Sequence, residues 1–396
     1  GLVGSEMCIR DSLSTVGEAA FKYCCSLKKI DLSRTRITRL QKETFYRCES
    51  LSEILLPDTL EIIGLETDSL SSSSLTSSVF YYCESLRSIK LPEGFKRING
   101  SSNFNYSGLE EMVFPESMEF VADDTFQYTE NLKKVTFQSA MEWKTSNSYG
   151  DIFSYSSVEE VILSDKMTTL SPNMFDNAKQ LRIVSYNDYV IKNQADYEAG
   201  FENALPPQVT VAPYELFNNC ESLKSMDMSN ITSYAFYSSS STGNYNGVFS
   251  GCTSLEEVTL NSTLDAIPGK MFLNCTSLES LPVTIFDSMK KISTASKTFS
   301  GCTAFTGESP YTMVQDGEQQ VKVHLYERTN YPDIFGAKIF TSASSYKDTF
   351  KGCTQMADYA DIPIPWGGIS DGTKAKPTLT PVSYTHLRAH ETVLDL

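Results

Sequence analysis

A phenylalanine that returns every 22 to 24 residues, followed by a small residue three positions on and then a Leu-x-x-Ile-x-Leu run, constrains this chain more than any other feature. Phe21…Cys24…Leu27…Ile30…Leu32 recurs from Phe45, Phe80, Phe217, Phe249 and Phe272, each with its cysteine at the same offset. Copies from Phe126 and Phe175 keep the spacing with Thr129 and Ala178 in place of the thiol, and copies from Phe104 and Phe153 are one residue shorter. Phe299-Ser-Gly-Cys302 and Phe350-Lys-Gly-Cys353 close the series. That period is one coil of a solenoid. The Leu-x-x-Ile-x-Leu piece alternates like a short strand, so its apolar residues face inward and those between face out. The second half of each coil, as in Leu264-Asp-Ala-Ile267-Pro-Gly-Lys-Met-Phe272, returns the chain and sinks Ile and Phe against the strand.

Burying four such side chains gains about 6–12 kcal/mol per coil, while ordering some two dozen residues costs about 1–2 kcal/mol each. No coil is stable alone, and stability must come from stacking on neighbours. The fold class expected is therefore a β-rich repeat solenoid with one short parallel strand per 22–24-residue coil and little helix.

Composition removes several alternatives. No apolar run approaches the ~20 residues a membrane-spanning helix needs, and 40% hydrophobic content is too high for a disordered chain. Thirty-three basic against 49 acidic side chains give a net charge of −16, which argues against a general phosphate-backbone binder. Nucleic acid is not expected as a partner.

Residues 1–12 (GLVGSEMCIRDS) and 381–396 (PVSYTHLRAHETVLDL) look foreign to the rest and read as adapter-derived sequence at the two ends. The expected organisation is a non-native leader at 1–12, a solenoid over 13–306, a closing module over 307–370 and a tail over 371–396. Polar, low-complexity stretches place insertions near 69–78 and 237–247. Residues 187–214, with Pro206-Pro207, fit either an irregular coil or an excursion.

The pattern Ala-Phe-x-x-Cys-x-Ser-Leu-x-x-Ile-x-Leu-Pro, carried by Ala20 to Leu32 and Phe80 to Pro92, resembles the BspA-like leucine-rich repeats of bacterial and protist surface proteins. The stretch holding Gly307 to Tyr311, Val323 to Arg328 and Ile364 to Gly368 is similar to a closing module found after such repeats in gut-associated Bacteroidetes proteins. The resemblance implies a right-handed leucine-rich-repeat solenoid, an extracellular or cell-surface location, and adhesion or binding to host or neighbouring-cell proteins. It implies no catalysis.

Eight of the ten cysteines share one repeat position, where other copies carry Thr129 and Ala178. A site that accepts Ala and Thr asks for a small buried group, so structural thiols are expected in place of disulfides. No Cys-x-x-Cys pair or nearby histidine completes a zinc site. No metal or other cofactor is expected. Hydrolase, kinase and dinucleotide motifs are absent, and His324 sits in an alternating strand pattern. A hydrolase using His324 and Glu327 is the weakest reading; the chain is read as no enzyme.

The candidate binding face consists of outward strand positions: Lys29, Asp31, Glu53, Lys90, Glu111, Lys134, Glu160, Asp227 and Glu257. The face mixes charges and lacks a row of aromatics for sugars or of Arg for phosphate. It fits a polar protein partner better than a glycan. The functional expectation is a non-enzymatic cell-surface binding or adhesion protein, with a spacer or scaffold displaying a further domain as the alternative.

Overall fold

Each copy of the repeat forms one turn of a coil, and the coils stack. The computed structural model describes residues 12–66, 76–141, 150–235, 247–289, 292, 294–336, 339–340 and 342–371. The leader 1–12, the insertions near 69–78 and 237–247 and the tail 371–396 lie, but for their edges, outside the described residues.

The Leu-x-x-Ile-x-Leu runs form the front of the solenoid as parallel strands. Lys29–Asp31 pairs with Glu53–Leu55. Glu111–Phe114, Lys134–Phe137, Glu160–Leu163 and Ile183–Tyr186 make a four-stranded sheet, and Ser225–Met228 pairs with Glu257–Leu260. Equivalent repeat positions lie side by side, as Met112, Val135, Val161 and Val184 do along one row. These four are buried, while Glu111 on the other face is exposed and Lys134 and Glu160 are half-buried.

A second line of parallel strands lies outside the alternating Leu-x-x-Ile-x-Leu runs. Arg39–Leu40, Ile62–Gly64, Arg97–Asn99 and Phe120–Val121 form a four-stranded parallel sheet from the return halves of their coils. Val211–Ala212 and Ser233–Tyr234 continue the theme further on.

The core is a ladder of twelve phenylalanines: 21, 45, 80, 104, 126, 153, 175, 217, 249, 272, 299 and 350. Successive rings stack with centroids 5.1–5.9 Å apart and planes within 17° of parallel. Each such pair contributes about 0.5–1.5 kcal/mol beyond the burial of its area. The backbone at this corner is unusual. The residue two after every ladder phenylalanine has positive φ, from Tyr23 (61°) to Gly352 (87°), and the residue two before it has positive φ in most coils. The left-handed geometry turns amides toward the neighbouring coil: Arg47 N–H donates to Tyr81 O at 2.8 Å, and Asn219 N–H to Ser250 O at 2.7 Å. Inter-coil hydrogen bonds thus offset the steric cost of left-handed non-glycine residues.

The repeat cysteines occupy the expected small buried site. Seven of them are buried with unpaired thiols, and Cys24, in the first described coil, is exposed. Each of the seven reaches the carbonyl of the phenylalanine one coil back, from Cys48 to Phe21 O (3.1 Å) through Cys353 to Phe299 O (3.0 Å).

Residues 187–214 prove to be excursion and coil together. The chain leaves after Tyr186, forms the helix Gln194–Ala199, capped by Asn193 and by Gly200 in the left-handed region, and re-enters at Asn203. There the Asn203 side chain accepts from Val184 N–H (2.8 Å) and donates to Ser225 O (3.1 Å), while Ala204 bridges to Asp227. One residue replaces a full front strand. Leu205, Val209, Ala212 and Leu216 then complete a buried return half.

At the far end the ladder passes from Phe299 directly to Phe350. The intervening chain forms an antiparallel hairpin, Tyr311–Asp316 with Gln319–His324, and short helical turns. Arg328, fully buried, anchors this lobe by donating to Met289 O, Phe286 O and Thr312 Oγ1 at 2.7–2.8 Å. Trp366 closes the stack: it packs on Tyr346 and Phe340, and its carbonyl accepts the Phe350 N–H.

Candidate functional site

The nine outward positions separate into engaged and unengaged groups. Lys29 pairs with Glu53 across the first two coils at 2.6 Å, and Lys134 with Glu160 at 2.8 Å. The neighbouring Lys133 and Glu159 repeat the pattern at 2.7 Å. Asp31 and Asp227 each fold back onto the local chain, accepting from the amides of Ser33 and Ser229. Glu257 is exposed. Lys90 and Glu111 form no ion pair among the described residues, and both line a hollow at a break in the front sheet.

That break falls at Ser88 to Leu91. The segment repeats the pattern of its neighbours, yet it pairs as a strand with neither Glu53–Leu55 nor Glu111–Phe114. Glu110 N–H still donates to Arg87 O at 2.9 Å, and there the pairing stops. An open hollow of about 420 Å³ lies over the break, lined by Ser88, Lys90, Glu93, Glu111, Val113 and Gln138 among others. Val113 is 44% exposed, so the hollow offers apolar surface beside one basic and two acidic side chains. At Ile183–Tyr186 the same face is covered, because Tyr197 of the excursion helix meets Ser185 and Arg182 holds Glu198 O. The face is therefore open on the coils before the excursion and opens again at Glu257 and Thr259, which are exposed.

A row of aromatics does exist, but on the corner beside the sheet. The left-handed position after each ladder phenylalanine carries Tyr82, Tyr106, Tyr128 and Tyr155 in four successive coils, stacked at 4.5–5.2 Å. The Arg47 guanidinium lies 4.4 Å over the Tyr82 ring, and Tyr46, Tyr81 and Lys22 extend the edge toward the first coil. The strand positions themselves carry no such row. The signal was present as a tyrosine two residues after phenylalanine, repeated at the coil period.

Two other polar groupings bear on chemistry. Ser309 Oγ lies 2.8 Å from His324 Nδ1, and Asp358 accepts from both the amide and the hydroxyl of Ser309. Ser309 is fully buried, and the carboxylate grips the serine instead of the far side of the imidazole. Glu327 accepts the His324 backbone N–H at 3.0 Å. These contacts tie the hairpin to the last coil; they do not assemble a nucleophile relay. At the corner, burial raises the carboxyls of Asp124 and Asp176, lifts Asp151 to about 6 and carries Asp123 to about 7, with Asp124 and Asp151 adding to the last shift. Among the described residues no cluster of His, Cys, Asp and Glu is arranged to hold a metal ion.

Stacked parallel strands, a phenylalanine ladder and a capped end define a leucine-rich-repeat solenoid. The chain belongs to the BspA type leucine rich repeat region family, whose profile matches residues 5–77, 73–199, 149–244 and 202–306. Similar solved structures include a leucine rich cell surface protein from Faecalibacterium prausnitzii, 18% identical over 91% of this chain and 87% of that one, with a TM-score of 0.41. A leucine-rich repeat protein from Bacteroides ovatus is 19% identical over 74% and 81% of the two chains, with a TM-score of 0.30. The pneumococcal vaccine antigen PcpA is 18% identical over 72% of each, with a TM-score of 0.36. No curated protein matches the chain. Among the described residues no helix is long and apolar enough to cross a membrane.

Proposed function

We propose that the chain is a non-enzymatic cell-surface or extracellular binding protein that takes a protein partner on the open part of its front face, centred on Lys90 and Glu111. The observation that carries this reading is the hollow over Ser88 to Leu91, whose lining holds Lys90, Glu93 and Glu111 without ion pairs among the described residues and an exposed Val113 on its wall. A polar protein surface can supply complementary charges and an apolar contact within one patch. Family membership supports a surface repeat protein, and adhesion is the finer role proposed here. The solenoid is taken as residues 13–306, with 307–370 closing it.

The test is an array of purified matrix and mucosal surface proteins, probed with the wild type and with a Lys90→Glu, Glu111→Lys double variant. The reading expects at least one ligand whose binding falls about tenfold or more in the double variant, from loss of two interfacial charge contacts. A spacer role is the second reading. It is favoured by the ion pairs that satisfy Lys29, Glu53, Lys134 and Glu160 within the face itself, and an array without any ligand would select it.

A further inference from the structure

The left-handed corner is built from two chemistries. In the first six coils it carries Tyr23, Arg47, Tyr82, Tyr106, Tyr128 and Tyr155; in the last six it carries Asn177, Asn219, Gly251, Asn274, Gly301 and Gly352. Glycine and asparagine adopt positive φ at low cost, whereas tyrosine does not. The later coils show that the corner closes without an aromatic residue. Tyrosine is therefore an expensive choice, made in four successive coils, and strained positions of this kind gather where a ligand is held.

The four rings cover one another's faces, so they offer no platform for a sugar to stack upon. They present ring edges and a line of phenol hydroxyls. None of these four hydroxyls has a hydrogen-bond partner among the described residues, and none is sealed from solvent. Among the described residues the track carries no free cation, and the carboxyls of Asp151 and Asp176 lie close enough to act on Tyr155. Its flanking cations carry their own carboxylates, Lys22 with Glu43, Arg47 with Glu49 and Lys179 with Glu221.

We propose that the edge from Tyr82 to Tyr155 is a docking track for a linear, uncharged polysaccharide lying along the solenoid axis. The spacing selects the polymer. Hydroxyl-bearing rings recur every 4.5–5.2 Å, close to the advance per sugar of an extended β-linked glycan. A peptide strand advances about 3.3 Å per residue and falls out of step after one ring. Nucleic acid or another polyanion would bring its charges to an edge without a free cation, beside the corner carboxyls, on a chain of net charge −16. The proposal stands apart from the sheet-face reading, since it uses none of the residues around Lys90 and Glu111.

The experiment is native affinity electrophoresis of the full chain in gels containing barley β-glucan, xyloglucan, hydroxyethyl cellulose or dextran, with heparin as the charged probe. At least one neutral polysaccharide should retard the wild type. A Tyr106→Phe, Tyr128→Phe double variant keeps rings and stacking and loses two hydroxyls; its dissociation constant should rise about tenfold, with its melting temperature unchanged. The Lys90→Glu, Glu111→Lys variant should be retarded like the wild type. The proposal is overturned by no retardation in any neutral gel, by retardation in heparin alone, by equal retardation of the phenylalanine variant, or by equal loss in the charge-reversed variant.

Discussion

The Cys252 thiol donates to the carbonyl oxygen of Phe217, one coil back, at 3.0 Å, and that oxygen also accepts the Cys220 amide of its own coil at 3.1 Å. One acceptor thus serves a turn within a coil and a contact between coils. The hydroxyls at the same repeat position behave differently: Thr129 and Ser156 bond the phenylalanine carbonyls of their own turns, Phe126 and Phe153. Cys252→Ala should cost about 1 kcal/mol, from a weak hydrogen bond and a small void. Cys252→Ser should leave the inter-coil contact unmade and cost a similar amount. Chemical denaturation of the three proteins measures this, and a stabilised serine variant would refute the inter-coil role.

Reactivity should divide the described thiols sharply. Burial pushes the Cys48 thiol up to about 11 and Cys353 to about 12, and raises those of the other buried repeat cysteines. Such thiols present almost no thiolate near neutral pH. Alkylation of the native protein at pH 8, read by peptide mapping, should modify Cys24 and Cys25 and spare the seven buried cysteines until denaturant is added. Early modification of Cys220 or Cys252 would contradict their burial.

The register assigned to the coils is open to a two-residue test. Leu255 is fully buried and Glu257 is exposed on the same repeat. Leu255→Asp should cost more than about 4 kcal/mol by placing a carboxylate in the stacked core. Glu257→Lys should change stability by less than about 0.5 kcal/mol. Comparable losses from both would mean that the strand faces have been exchanged.

Much of this was legible in the sequence, and the limits have physical causes. The twelve phenylalanines are evident because a ladder needs the same large ring at every period. The front strands at Lys134 and Glu160 follow from alternation. The side strands escape such reading, since two residues such as Arg39-Leu40 carry no detectable alternation. Ser88 to Leu91 has the same pattern as Glu53 to Leu56 and still does not pair, because pairing is decided by the placement of neighbouring coils. Asn203 acts as a rung through its side-chain amide, a role that no periodicity reports. The tyrosine edge is written in the sequence as Tyr82, Tyr106, Tyr128 and Tyr155, each two residues after a ladder phenylalanine, outside the alternating strand positions.

Arg328 should behave as the bolt of the terminal lobe. Burial lowers its pKa to about 10, with Asp287 only partly opposing the shift, so the guanidinium stays charged at neutral pH. Arg328→Met leaves two carbonyls and the Thr312 hydroxyl without their donor, at a cost of about 3 kcal/mol. A lysine cannot reproduce the planar fork and should rescue only part of that. Hydrogen exchange should speed up at Val283–Phe286 and Tyr311–Asp316 while Glu111–Phe114 is unchanged, since solenoid coils answer mainly to their neighbours. Uniform acceleration along the chain would refute this local role.

The corner carboxylates set the direction of the pH dependence. Asp123 titrates near 7 and Asp151 near 6 in the folded chain, chiefly because burial disfavours their charged forms; an unfolded aspartate titrates near ~3.9. A folded pKa above the unfolded value means that the native state binds the extra proton. The stability these groups contribute is fully present below about pH 4 and is lost as pH rises through 6 and 7. Asp123→Asn removes the ionisation at little change in shape. It should leave stability near pH 4 almost unchanged and raise it at pH 8 by up to about 4 kcal/mol, since there the wild type must hold a half-buried charge. Melting curves of both proteins from pH 4 to pH 8 provide the measurement. A difference that does not grow with pH would show that Asp123 ionises in the fold as freely as in water.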